Sequence, residues 1–156
     1  MAERKERLAR EIDERVTAVR DRLAAITDED LGHARGAEGW SAGLILLHIA
    51  LGLRRQAGWI DRALQGRTPT HFHWDLTHRL NARMARDHAR PSRRQVEDCI
   101  ALGHERMRQA LARMSEDDLA REALVVGERR VSIAVVLSRI VLRHIDDHLL
   151  SLEGAS

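Results

Sequence analysis

Residues 142–152 read LRHIDDHLLSL and place two histidines, His144 and His148, four positions apart in an apolar helical run. Residues spaced by four are neighbours on one face of an α-helix, with their Cβ atoms about 6 Å apart. That face is predicted to point into the core, because apolar residues continue the same stripe: Leu137, Val141 and Leu152. Burying two imidazoles costs free energy if their ring nitrogens lack hydrogen-bond or metal partners. Either they are core histidines satisfied by their neighbours, or they are two ligands of one metal ion.

Helical spacing of apolar residues recurs in five stretches of the chain. Four are long, and a shorter one carries Leu80 and Met84 in the connection between the second and third long helices. Serines predict where three helices begin, because a serine hydroxyl accepts a hydrogen bond from a free N–H of the first turn. These serines are Ser41, Ser92 and Ser132. No strand pattern of useful length occurs, apart from a short extended excursion around Gly127. We therefore predict one all-α domain over residues 1–156, a four-helix bundle with an extra helical segment in its middle connection.

The composition argues against several classes of protein. The 156 residues are 44% hydrophobic and 32% charged with a formal net charge of +2, as is typical of a globular helical protein. Acidic and basic residues alternate and Tyr is absent, so no nucleic-acid surface is expected. The longest apolar stretch, LILLHIALGL (44–53), is too short to span a bilayer. Cys99 is the only cysteine, so no internal disulfide can form and a cytoplasmic location is the expectation.

A third histidine, His48, lies on the apolar stripe of the second long helix, between Leu44 and Leu51. If that helix packs against the last one, three inward imidazoles converge from two helices. Chance alone seldom gives such an arrangement, so His48 favours the metal hypothesis. His104, one turn from Ile100, also approaches the core and is a fallback ligand.

Three segments carry a resemblance to a known family: EGWSAGLILLHIA (38–50), DLTHRLNARMARDH (75–88) and VLRHIDDHLL (141–150). The features they share with that family are a Trp-Ser opening of the second helix, a His eight residues after that Trp, a mid-chain Asn-Ala and a terminal H-x-x-x-H. Their order and spacing resemble the DinB-like (DinB/YfiT-like) superfamily. The closest branch contains mycothiol-dependent maleylpyruvate isomerase-like and ClbS-like proteins.

The resemblance implies a bundle of up–down–down–up topology in which His48, His144 and His148 hold a divalent metal ion. It also implies small-molecule chemistry, because characterised relatives include transferases and isomerases that use a thiol such as mycothiol or bacillithiol. A homodimer is expected, since related bundles commonly pair through helix faces. Zinc, nickel, iron and manganese all accept imidazole, so the ligand type does not select the metal.

Three functions remain open from the sequence. The first is a metal-dependent enzyme, such as a thiol S-transferase, isomerase or hydrolase in detoxification, because three neutral imidazoles leave the ion its charge and an open position. The second is a protein that sequesters a metal or a small electrophile without turnover. The third is a dimerising bundle with a vestigial site, which the three intact histidines disfavour.

Residues around the site are less closely defined by the sequence. Asn81 lies in the family-like middle segment and is a candidate pocket residue. Arg143, beside His144, is a candidate for binding a substrate carboxylate. Trp40 and Trp59 are interpreted as packing residues of the bundle.

Overall fold

The computed structural model describes residues 3–153 and is mostly helical, as predicted. Its α-helices are α1 (Glu3–Ala25), α2 (Asp28–Leu31), α3 (Ala42–Leu64), α4 (Trp74–Asp87), α5 (Arg93–Arg113), α6 (Ile133–Val135) and α7 (Leu142–Glu153). A π-helical stretch, Val136–Val141, joins α6 to α7, so that residues 133–153 form one continuous last helix. A 3-10 turn at Asp117–Ala120 follows α5. Within residues 3–153, no helix has the length and apolar character needed to cross a membrane.

Two small sheets correct the all-α prediction. The first pairs β1 (Ala34–Arg35) with β2 (Trp40–Ser41) in antiparallel fashion, directly before α3. The second contains β3 (Thr70–Phe72), β4 (Glu122–Val126) and β5 (Arg129–Ser132), with β4 parallel to β3 and antiparallel to β5. The extended excursion expected around Gly127 is the turn between β4 and β5, where a φ of +60° favours glycine. Strands of two to five residues are too short to show a clear alternation in the sequence.

The three predicted serine caps are confirmed. Each serine hydroxyl accepts a hydrogen bond from the backbone N–H three residues later, at 3.0 Å for Ser41, 3.1 Å for Ser92 and 3.3 Å for Ser132. Ser92 completes a capping box, because its own N–H donates to Oε1 of Gln95 at 2.8 Å. The helix that bears His48 and the last helix therefore begin where the sequence predicts.

The core lies between the apolar stripes of the long helices. α3 is central, since it packs against both α5 and the last helix. Gly103 of α5 permits the closest approach: a Cβ at this position would lie 2.7 Å from the carbonyl oxygen of Ala50 in α3. The backbones of α3 and α5 are therefore almost in contact at this level.

Polar contacts join α1 and α5 at both ends. Lys5, near the start of α1, donates from Nζ to the carbonyl oxygen of Met114, which directly follows α5, at 2.8 Å. Arg93, the first residue of α5, donates from Nη1 to the carbonyl oxygen of Leu23, near the end of α1, at 2.6 Å. The two helices are thus held together by hydrogen bonds at both ends.

The helix of the middle connection, α4, lies at the margin of the core. The helical spacing of Leu80 and Met84 is confirmed, and Met84 is buried. Leu80, however, is 43% exposed, and Trp74 and Leu76 are exposed as well. Only part of the apolar face of α4 is therefore covered by the bundle.

Candidate metal centre

Three histidine side chains meet between α3 and α7. His48 comes from α3, and His144 and His148 come from successive turns of α7. The ring centroids are 4.8 Å apart for His48 and His144, 4.5 Å for His48 and His148, and 4.6 Å for His144 and His148. One nitrogen from each ring lies within 4.8 Å of the other two, and Nε2 of His48 is 3.0 Å from Nε2 of His144. We call these three residues the histidine triad.

The π-helical stretch Val136–Val141 lies directly before the helix that carries two of the triad residues. A π-helical turn contains more residues than an α-helical turn, so it changes the rotation of the residues that follow. Val141 is fully buried at the end of this stretch, and His144 and His148 are half-buried after it. The predicted inward stripe is therefore retained across the irregular turn.

Gly52 of α3 leaves the space that the ring of His144 occupies. A Cβ at position 52 would lie 2.5 Å from Cε1 and 3.0 Å from Nδ1 of His144, so any other residue would displace the ring. Gly52 was not among the residues predicted from the sequence, although it follows His48 by four residues inside an apolar helix. A lone glycine in a helical pattern often has such a packing reason.

Trp40 covers one side of the triad. It lies in β2, is half-buried, and packs edge to face on the His48 ring with 5.2 Å between the centroids. Trp59, in contrast, is buried and packs against Phe72 with 6.2 Å between the centroids. Both tryptophans are packing residues as interpreted, but Trp40 packs on a triad residue.

Burial keeps the triad imidazoles neutral. Together with positive charge on His148 and Arg55, burial lowers the pKa of His48 from 6.5 to about 4, and burial is the largest cause. The pKa of His144 falls from 6.5 to about 3, through burial first and then through charge on His48 and His148. Burial also lowers the pKa of His148, although two nearby carboxylates oppose that shift. Near neutral pH the triad therefore offers uncharged nitrogen donors.

The donor set fits a divalent metal ion. Tetrahedral coordination at metal–nitrogen distances of about 2.0–2.1 Å separates neighbouring ligand nitrogens by about 3.3 Å. The 3.0 Å between the Nε2 atoms of His48 and His144 is close to that spacing. Nδ1 of His144 is buried and has no hydrogen-bond partner among residues 3–153, which is uncommon for a buried polar atom. An ion bound by Nε2 of His144 would leave Nδ1 without a partner, so the fit to a metal ion rests on the converging nitrogens of the three rings.

The other predicted site residues have different surroundings. His104 is buried, but its Nε2 lies 2.7 Å from Oδ1 of Asp13 in α1, so a carboxylate satisfies this imidazole and the fallback ligand lies outside the triad. Arg143 lies on the exposed side of α7, where its Nε is 3.7 Å from Oδ2 of Asp147. Asn81 is half-buried on α4. Its place in the pocket stays a prediction.

Arg55 is a second residue that the sequence analysis missed. It follows His48 by seven residues on α3, and its positive charge is close enough to contribute to the lowered pKa of His48. A spacing of seven places two residues on the same face of a helix, two turns apart. The spacing of seven residues from His48 was the signal in the sequence that could have identified Arg55 as a residue near the site.

The family model that matches this chain covers nearly all of it. It is the model of the DinB superfamily, and it matches residues 7–151. The chain belongs to the DinB superfamily. The resemblance noted in the sequence is thereby confirmed. The chain has no significant match among curated protein sequences.

Two solved structures of other proteins share the fold of this DinB-superfamily protein. One is the mycothiol-dependent maleylpyruvate isomerase, with a TM-score of 0.77 and 16% sequence identity. The other is a histidine-to-alanine mutant of that isomerase, with a TM-score of 0.77 and 15% identity. Each match covers 97% of this chain and 62% of the isomerase chain. The present chain thus spans less than two thirds of the isomerase, and the likeness is one of fold.

Proposed function

We propose that this DinB-superfamily protein is a divalent-metal-dependent enzyme, a thiol-dependent S-transferase or isomerase that acts on small electrophilic molecules. The observation that carries the proposal is the histidine triad, whose donor nitrogens lie within 4.8 Å of one another. The fold shared with a mycothiol-dependent isomerase supports a small thiol such as mycothiol or bacillithiol as the co-substrate.

The triad residues would bind the metal ion, and their neighbours would fix the rings. Gly52 gives the His144 ring its position, and Trp40 packs on the His48 ring. A divalent ion held by three neutral ligands would lower the pKa of an incoming thiol and polarise an electrophile. The half-buried position of the triad reduces screening by water, which strengthens these electrostatic effects.

We also propose the up–down–down–up topology for the four long helices. The contacts at both ends of α1 and α5 support opposite directions for this pair. Ser41, at the start of α3, donates from Oγ to the carbonyl oxygen of Ala89, near the start of α5, at 2.7 Å. The starts of α3 and α5 therefore lie at the same end of the bundle. β3, after α3, is parallel to β4, after α5, which supports a common direction for α3 and α5. Arg22, near the end of α1, forms an ion pair with Glu153 at the end of α7, which supports a common direction for α1 and the last helix.

The function is tested by turnover of a thiol with an electrophile. Protein loaded separately with zinc, nickel, iron or manganese is incubated with mycothiol or bacillithiol and a chromogenic alkylating agent. We expect metal-dependent turnover that is lost in His48→Ala. It is retained in His104→Ala, which removes a buried histidine that Asp13 satisfies. Stoichiometric metal binding without turnover for any pair would instead favour the sequestering function.

The remaining expectations from the sequence stay predictions. They are the single domain over residues 1–156, the homodimer and the cytoplasmic location. Light scattering of the purified protein tests the homodimer, which would have twice the 17.7 kDa mass of the chain.

A further inference from the structure

Arg55 is held at a fixed position beside the triad by three elements. On α3 it follows His48 by two turns, about 10 Å along the helix axis at 1.5 Å per residue. Its Nη2 donates to Oγ1 of Thr77 in α4 at 3.3 Å. Its guanidinium carbon lies 5.4 Å from the ring centroid of Trp59 and 5.9 Å from that of Phe72 in β3. The guanidinium is therefore oriented by one hydrogen bond and two aromatic rings.

No carboxylate partner accompanies this half-buried cation. Within residues 3–153, no Asp or Glu oxygen lies within 4.0 Å of the Arg55 guanidinium, whereas the half-buried Arg15 and Arg93 each have a carboxylate partner. Arg15 pairs with Asp146 and Arg93 pairs with Asp28. Burial also lowers the pKa of Arg55, which means that its surroundings oppose the charge. Partial burial of a charge without an anionic partner carries a desolvation cost that a bound anion would offset.

We propose that Arg55 binds the carboxylate of a small-molecule ligand whose reacting atom lies at the histidine triad. A guanidinium has five donors in one plane, and Thr77 uses one of them. Its planar edge matches a carboxylate in a two-hydrogen-bond geometry. Because Arg55 and His48 lie on one face of α3, two turns apart, a ligand that spans about 10 Å can contact both the guanidinium and the triad. The proposal deepens the proposed function, on which the position of the reacting atom rests.

The first test of Arg55 does not involve the metal. Succinate, with neutral succinamide as its control, is titrated into the metal-free protein while NMR follows the Arg55 Nε–H resonance. We expect succinate alone to shift this resonance. The affinity, measured by calorimetry on the parent and the variants, should fall about 10- to 100-fold in Arg55→Gln, which removes a charge-assisted hydrogen-bond pair. Arg54→Gln, a change of the exposed neighbouring arginine, is the matched control and should leave the affinity unchanged.

The second test measures the link between Arg55 and the triad. Mercapto acids of two to six carbons are compared with the mercapto alcohols of the same length by calorimetry on zinc-loaded protein. We expect at least one acid to bind about 10-fold more tightly than its alcohol, and Arg55→Gln to abolish that preference. Thr77→Ala, which removes the contact to α4 but keeps the guanidinium, should retain the preference. A purely structural role of Arg55 would not produce this pattern.

The outcomes separate this inference from the proposed function. If the acids and alcohols bind equally and succinate does not bind, Arg55 is not an anion site, although the metal–thiol function stands. If succinate binds through Arg55 but no thiol binds the zinc-loaded protein, the anion site stands and the thiol-dependent function fails. A preference for acids that persists in Arg55→Gln overturns the assignment of the site to Arg55.

Discussion

At the scale of single residues, the triad combines three imidazoles that the fold makes uncharged and brings close together. Burial lowers the pKa of His48 to about 4 and that of His144 to about 3, and the rings lie less than 5 Å apart between centroids. Such a cluster opposes protonation, and neutral imidazole is the form that binds metal ions. The stability of the metal-free protein should therefore depend on pH.

We predict that acid lowers the free energy of unfolding of the metal-free protein because of the triad. The pKa values of His48 and His144 are below the 6.5 of an unperturbed histidine. At a pH between these lowered values and 6.5, the unfolded chain therefore binds more protons than the folded protein. The stability from the neutral rings is fully present above pH 6.5 and is lost as the pH falls toward 4 and 3. Urea unfolding of chelator-treated protein at several pH values measures this effect. His144→Leu should show a shallower dependence, and an equal slope for the variant and the parent would contradict the prediction.

We predict that Gly52→Ala weakens metal binding. The added Cβ would meet Cε1 of His144 at 2.5 Å, so the ring must leave its position. Loss of a residue that orients a metal ligand typically lowers affinity about 10- to 100-fold, and zinc calorimetry measures it.

Gly58→Ala is the matched control, because nothing lies within 4 Å of a Cβ at that position of the same helix. It should leave zinc affinity unchanged and stabilise α3 by about 0.5–1 kcal/mol. Equal zinc affinity for Gly52→Ala and the parent would show that the His144 ring is not held by this contact.

At the scale of helices and strands, the site depends on how closely α3 approaches its neighbours. The last helix reaches α3 at Gly52, and α5 reaches it at Gly103. Glycines on two helices thus let α3 pack closely on both sides. This arrangement explains how a helix that carries His48 can lie at the centre of the core.

We predict that Gly103→Ala destabilises the protein even though alanine is the better helix former. The new Cβ would lie 2.7 Å from a backbone oxygen of Ala50, so α3 and α5 must separate. Overpacking of this kind costs about 1–3 kcal/mol, against a gain of about 1 kcal/mol in helix propensity. Urea unfolding should show a net loss of about 1 kcal/mol relative to the parent. A variant that is as stable as the parent would mean that the two helices can move apart freely.

At the scale of the whole molecule, the sequence predicts the features that depend on periodicity and capping. The serine caps at Ser41, Ser92 and Ser132 and the inward stripe of the last helix follow from local rules, and the structure contains them. The inward phase of His48, His144 and His148 follows from the apolar stripes of their helices, whereas the meeting of the three rings was implied only by the family resemblance. Long, strongly periodic helices leave little freedom in how their faces are oriented.

The features that the sequence analysis missed depend on contacts between distant residues. β3 pairs with β4 across more than 50 positions, and strands this short have no signature of their own. Gly52 acquires its role only because His144 lies against it, and Arg55 only because Trp59 and Thr77 orient it. His104 has the inward position of a ligand in the sequence, but its partner in the fold is Asp13 of α1, 2.7 Å away.

Elemental analysis tests most directly whether the triad holds a metal ion, on which the proposed function depends. The parent, the triple variant His48→Ala, His144→Ala, His148→Ala and the His104→Ala control are purified and analysed by mass spectrometry for metals, with circular dichroism confirming that each is folded. We predict about one divalent ion per chain in the parent and in His104→Ala and none in the triple variant, as three imidazole ligands require. A parent that stays metal-free after incubation with zinc, nickel, iron and manganese salts would contradict the claim. So would a folded triple variant that still binds the ion.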